Sequence, residues 1–149
     1  MVVDFQLKKV PELRVALVAW EGPYQESRIR REFESIARWL KERHVRSGRW
    51  VFSEAGERSF KVAIEVFRPI RGEGRIHVRT LSAGRVASIE FDPDLVSPRV
   101  IYHGLMDWLR WRRREHAIRS VGSYREVYSS NPWRDARAWA HTEVQVVVK

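Results

Sequence analysis

Two periodicities divide the chain. From Phe5 to Val10 apolar and polar positions alternate, as on an edge strand. Pro11-Glu12-Leu13 interrupts the pattern, and Arg14-Val15-Ala16-Leu17-Val18-Ala19-Trp20 then reads as a well-buried strand. Glu21-Gly22-Pro23-Tyr24 closes it by turn chemistry. Between about Glu26 and Val45 the spacing turns helical. Ile29, Phe33, Ile36 and Leu40 form an apolar stripe widened by Trp39, and Glu34 is within pairing reach of Arg30 and Arg38. Ser47-Gly48 predicts the helix stop. Trp50-Val51-Phe52 opens a strand, Glu54 to Ser59 is polar and turn-like, and Phe60 to Phe67 is a strand again. In that strand Val62, Ile64 and Val66 share one face, Glu65 and Phe67 the other.

After Arg71-Gly72-Glu73-Gly74, which reads as a hinge, the plan repeats. Ile76 to Leu81 alternates as the first strand does, and Ser82-Ala83-Gly84 stands where Pro11-Glu12-Leu13 stood. Arg85-Val86-Ala87-Ser88-Ile89 lines up with Arg14 to Val18, and Asp92-Pro93 with Gly22-Pro23. Ser97-Pro98 is a helix start, a hydroxyl cap followed by proline at the first helical position. Ile101, Leu105, Trp108 and Leu109 form the second stripe, so Trp108-Leu109 matches Trp39-Leu40. Val127-Tyr128 matches Val51-Phe52, and Glu143-Val144 matches Glu65-Val66. The expected fold is α+β: two tandem pseudo-symmetric strand–strand–helix–strand–strand repeats, about 1–70 and 76–149, in a single domain with mainly antiparallel sheets. Neither half alone covers both faces of its sheet, so helices are expected on one face while the other faces meet around a central groove.

The last segment, Ala138 to Val148, reads as one continuous strand. Val144, Val146 and Val148 share a face with Thr142, whereas Trp139, His141, Glu143 and Gln145 point the other way. An aromatic, a carboxylate and an amide in a row look like a pocket lining. Glu143 is therefore the main candidate, with Glu65 its repeat equivalent.

Composition narrows the classes. The chain has 149 residues and no cysteine, which removes disulfides, thiolate metal sites and thiol catalysis. No apolar run reaches the roughly 20 residues that cross a bilayer. The opening Met1 to Phe5 lacks the pattern of a secretory leader, so a cytoplasmic location without membrane contact is expected. The net charge of +9 comes mostly from arginine and favours anionic partners in general. It equally fits a salt-bridged, heat-tolerant surface, as do the missing cysteines and the single asparagine, Asn131. Arg110-Trp111-Arg112-Arg113-Arg114 invites a nucleic-acid reading through Arg110, Arg113 and Arg114, but a solvated helix C-terminus explains the run more simply. His44, His77, His103, His116 and His141 show no paired ligand spacing, and there is no nucleophile elbow or phosphate-cradling glycine loop. No metal and no cofactor are expected.

Four segments carry a resemblance. Val10-Pro11-Glu12-Leu13-Arg14-Val15-Ala16 is followed by Trp20-Glu21-Gly22-Pro23-Tyr24. The others are Leu81-Ser82-Ala83-Gly84-Arg85-Val86-Ala87, Tyr124-Arg125-Glu126-Val127-Tyr128 with Asn131-Pro132, and Thr142-Glu143-Val144-Gln145-Val146-Val147-Val148. Together they resemble the GyrI-like small-molecule-binding domain, which occurs alone and as the effector domain of multidrug-responsive regulators. Three positions depart from its pattern: Trp20 stands for the usual histidine, Phe91-Asp92-Pro93-Asp94-Leu95 lacks the second Gly-Pro-Tyr turn, and Val147 stands for a proline. The resemblance implies a pocket between two repeats, lined by aromatics around an acidic residue and filled by lipophilic, frequently cationic compounds. It also implies two alternatives, hydrolysis of cyclopropane-bearing compounds by a pocket glutamate, and inhibition of gyrase.

On this reading Glu143 supplies charge, or acts on water if the protein is an enzyme, and Trp139, Glu65, Phe67, Trp20, Tyr24 and His141 complete the ligand surface. A desolvated carboxylate ringed by aromatic faces suits a planar cation. Because little sequence precedes Phe5, a stand-alone sensor or sequestering protein is expected, in an oligomeric state the pattern leaves open.

Overall fold

Both repeats are present, and they share one sheet. The computed structural model describes residues 4–149; Met1-Val2-Val3, read above as part of a leaderless start, lies outside the described residues. The first repeat runs β1 (Gln6–Val10), β2 (Leu13–Glu21), α1 (Glu26–Glu42), β3 (Ser47–Ala55), β4 (Ser59–Val66). The second runs β5 (His77–Leu81), β6 (Gly84–Phe91), α2 (Pro98–Arg112), β7 (Val121–Tyr128), α3 (Ala136–Ala140), β8 (Thr142–Val148). The strands form one eight-stranded antiparallel sheet in the order β1-β6-β8-β7-β3-β4-β2-β5.

That order is unchanged when the repeats are exchanged and the list is reversed. The central pair is β3 with β7, and Val51 lies opposite Val127 in register. Since Val51 and Val127 are also the matched residues of the two repeats, the local twofold axis passes between them. Each leading strand is traded: β1 pairs with β6 of the second repeat, and β5 with β2 of the first.

This trade bends the sheet. Only Pro11 and Glu12 join β1 to β2. Three residue steps span at most about 11 Å. The two strands stand six places apart, which in a flat sheet is about 29 Å. The sheet must therefore roll until its edges approach. Leu13 and Leu81 from that seam pack with Val15, Leu17, Val51, Ala63 and Val127 on the inside of the roll.

Both helices lie on the opposite, outer face. α1 buries Ile29, Phe33, Ile36 and Leu40 against Ala16, Val18, Trp50, Phe52, Phe60, Val62 and Ile64. α2 buries Ile101, Leu105 and Leu109 against Ala87, Ile89, Phe91, Val144 and Val146. The valine face of β8 is thus a helix-covered face, as its alternation requires.

Several local features differ from expectation. α1 stops at Glu42, and the chain turns at His44 in the left-handed region (φ 54°), where Val45 N–H returns to the Leu40 carbonyl. Gly48 belongs to β3 instead. The expected strand from Ala138 is interrupted: Asp135 accepts from the N–H groups of Arg137 and Ala138 and caps the short helix α3, so β8 begins only at Thr142. Ser97 and Pro98 do open α2, although the Ser97 hydroxyl makes no capping bond. Among the described residues no helix is long and apolar enough to cross a membrane.

Candidate functional site

A broad hollow lies on the outer face, over the central strands and beside the start of α2. It holds about 680 Å³, within the range of small-molecule sites. Phe52 and Glu54 of β3, Tyr124 and Glu126 of β7, and Val146 of β8 form its floor, Tyr24 one wall, and Pro98, Arg99 and Tyr102 of α2 the other. A bulge opens the floor. The β7–β8 register shifts between Val121 and Tyr124, which brings Gly122 and Ser123 into the lining.

Glu126 is the fixed point of this groove. Alternation along β7 sends Tyr124, Glu126 and Tyr128 to the same face. The Tyr124 hydroxyl donates to Glu126 Oε1 at 2.7 Å and the Tyr128 hydroxyl to Oε2 at 2.5 Å. Burial first, and then the adjacent Glu126 charge, push both phenols far above their ordinary pKa, so each keeps its proton and donates it. Glu54 stands diagonally across from Glu126 on the neighbouring strand, since Phe52 pairs with Glu126 and Glu54 with Tyr124. Burial, then the charges of Glu126 and Glu57, raise the Glu54 carboxyl above its usual range.

The twofold axis explains why a hollow is there at all. The strand match that sets Val51 on Val127 sets Trp50 on Glu126. The helix match that sets Trp39 on Trp108 sets Phe33 on Tyr102. In the first repeat Phe33 stacks on Trp50 with ring centroids 5.0 Å apart, and Trp133 packs against both. In the second repeat a carboxylate replaces the indole, and Tyr102 leans edge-on against Tyr124 at 5.4 Å. The core is solid on one side of the axis and open on the other.

Of the residues expected at the site, only Tyr24 lines this groove. It is exposed, and its ring meets Phe52 and Phe60 edge-on at 6.4 and 6.1 Å. Glu143 faces the inside of the roll, on the opposite side of the sheet. There it forms an ion pair with Lys8 and accepts from Gln145 Nε2 at 2.6 Å. The traded strands close the helix-free face into a roll, where Glu143 lines a smaller hollow, while the broader groove shares the outer face with the helices. Trp139 is on α3 rather than a strand, and its indole donates to Asp94 Oδ1 at 3.0 Å. His141 follows it, exposed, with Nδ1 2.5 Å from Glu90 Oε1. Glu65 accepts from the Arg49 N–H at 3.2 Å on the helix-free face. Phe67 lies beyond the end of β4 under the Arg46 guanidinium, and Trp20 packs on Phe60 with Arg28 over its ring. Arg110, Arg113 and Arg114 are exposed on and just beyond the last turn of α2; Arg110 is near Asp107, and Arg113 donates to the Arg119 carbonyl at 2.8 Å.

Glu126, which holds the centre of the groove, is not among the expected site residues. Its signal was available in the alternation Tyr124-x-Glu126-x-Tyr128, which places a carboxylate between two phenols on one face.

Comparison with known proteins agrees with this fold. Residues 4–149 match the family described as the GyrI-like small molecule binding domain. The fold is similar to the crystal structure of the EcmrR C-terminal domain, with a TM-score of 0.79 at 19% identity over 100% of this chain and 99% of that one. It is similar to SAV2435 bound to tetraphenylphosphonium (0.56, 11% identity, 98% and 94% covered). It is also similar to a hydrolase from Listeria innocua (0.62, 12% identity, 97% and 91% covered). No curated protein matches the sequence.

Proposed function

The chain belongs to the GyrI-like small molecule binding domain family, and from that membership we propose that its groove takes up hydrophobic molecules bearing a positive charge. The observation that carries this is a reversal of sign. The protein as a whole is at +9, yet its groove is lined by three glutamates, Glu54, Glu57 and Glu126, and one arginine, Arg99, a balance of −2. Aromatic faces of Tyr24, Phe52, Tyr102 and Tyr124 surround that charge and supply the apolar contact and cation–π attraction a lipophilic cation needs. Glu126 is tethered by two phenols, so its carboxylate is in place before any ligand arrives and little ordering is required on binding.

SAV2435, similar in fold, has been solved with the lipophilic cation tetraphenylphosphonium, and that ion supplies the probe. Tetraphenylborate has the same shape and the opposite charge. Calorimetric titration of both at equal ionic strength is the test. A groove of this kind binds the phosphonium more tightly than the borate, although the net protein charge favours the borate. Equal or inverted preference would sink the proposal.

Turnover is the second reading, and one observation favours it: the groove carboxylate is oriented by phenols and has room for water beside it. If the protein hydrolyses strained electrophiles such as cyclopropane-bearing compounds, the acting residue is Glu126 rather than Glu143. Product would then form with wild type, persist with Glu143→Gln, and vanish with Glu126→Gln.

A further inference from the structure

The inside of the roll contains a second hollow, of about 210 Å³, separated from the groove by the thickness of the sheet. Its charge is opposite. Lys8, Lys9, Arg49 and Arg125 line it together with one carboxylate, Glu143. We propose that this hollow is an anion site, taking a small molecule through a phosphate or carboxylate group held by Arg125 and Arg49.

Arg125 carries the argument. It sits mid-strand on β7, half-buried, and its partners in register on either side are Ser53 and Gln145, both uncharged. Among the described residues its guanidinium makes no hydrogen bond and no ion pair. The only carboxylate lining the hollow is already committed, Oε1 to Lys8 and Oε2 to Gln145. Burial lowers the pKa of Arg125. Five N–H donors in a fixed fork, partly removed from water, match the geometry of an oxyanion.

The rest of the hollow fits that occupant. Arg49, exposed at its mouth, also lacks a side-chain partner among the described residues. Ser82, from the seam between β5 and β6, adds a hydroxyl. The apolar walls of Val51, Leu81 and Val127 lower the local polarity around the donors and strengthen their attraction for charge. The volume admits a phosphate or a short dicarboxylate but not a polymer lying across it.

Two probes distinguish the sources of the oxyanion: inorganic phosphate and succinate, each titrated at constant ionic strength against chloride and read by calorimetry and melting temperature. Saturable binding of at least one, absent with chloride, is expected. Arg125→Gln should weaken it about tenfold or more, the loss of a charge-assisted pair. Arg110→Gln, with the same change in net charge on a distant helix, should leave it unchanged. Glu143→Gln removes the competing carboxylate and should tighten it by about threefold to tenfold. If Arg125→Gln fails to fold, Arg49→Gln and Glu143→Gln still test the site through their opposite signs. Non-saturable binding of both probes, an unaltered affinity in Arg125→Gln, or weaker binding in Glu143→Gln would overturn the assignment. Binding of tetraphenylphosphonium in the groove is unaffected by any of these outcomes.

Discussion

Replacing Glu126 by glutamine is the sharpest test of what the groove does with charge. Glutamine keeps the length of the side chain and one carbonyl oxygen for a phenol to donate to, so the floor is preserved while the negative charge is removed. In tetraphenylphosphonium the phenyl rings hold the phosphorus some way from any protein oxygen. At about 6 Å and an effective dielectric constant near 20, a unit charge pair is worth about 3 kcal/mol; in a water-like medium it falls below about 1 kcal/mol. The groove is open to solvent, so an intermediate value of about 1.5–2 kcal/mol applies, a loss of roughly tenfold to thirtyfold in affinity. Isothermal titration at low and physiological salt measures it, with the melting temperature recorded to show that the fold is intact. Salt should shrink the gap between wild type and variant. A loss under about twofold, or an equal loss for a neutral analogue such as triphenylphosphine oxide, would mean that shape rather than charge holds the ligand.

Two further outcomes follow from the same structure. Because the folded-state pKa of Glu54 is raised by burial and by Glu126 and Glu57, the folded protein holds more protons than the unfolded chain between the unfolded and folded values. Stability from this group is therefore intact below the unfolded value and declines as pH rises through the folded one. A bound cation favours the ionised form, so cation affinity should climb over that window, and Glu54→Gln should flatten the climb while stabilising the ligand-free protein at neutral pH; an unchanged titration profile would refute the coupling. Between the repeats, a Cβ on Gly72 would meet the Ile76 carbonyl at 2.5 Å, whereas at Gly48 its nearest neighbours would be the side-chain ends of Glu65 and Phe67. Gly72→Ala should cost about 1–3 kcal/mol by denaturant unfolding, and Gly48→Ala roughly 1 kcal/mol or less; the reverse order would contradict the tight approach of Gly72 to Ile76, which Glu73 and Ile76 fix by donating their N–H groups to each other's carbonyls at 2.9 and 3.0 Å.

Periodicity exposed most of the elements because each has one buried face. The stripe of Ile29, Phe33, Ile36 and Leu40 and the alternation of Val144, Val146 and Val148 both report burial directly, and both repeats were legible from their matched pairs. Which strands adjoin was not legible. The pairing of β1 with β6 joins segments far apart in the chain, and an edge strand carries the same alternation whichever partner it takes. That gap left the face of the broad groove unassigned. Without the roll, Glu143 and Glu126 are equally good glutamates on alternating strands, and nothing in either local pattern says which face lies beneath the helices. Trp139 misled for a different reason: Asp135 captures two N–H groups and winds the next residues into a helical turn, a side-chain effect that outweighs the strand pattern after it.

The axis between Val51 and Val127 also sets a limit on how such a binding site can arise. Two identical short chains lending each other their leading strands would be obliged to carry every groove residue in duplicate, so an acid in place of Trp50 would empty both cores at once. Joining them through residues 67–76 lifts that obligation. One half keeps its indole and supplies rigidity, while the other gives up packing to hold a guest.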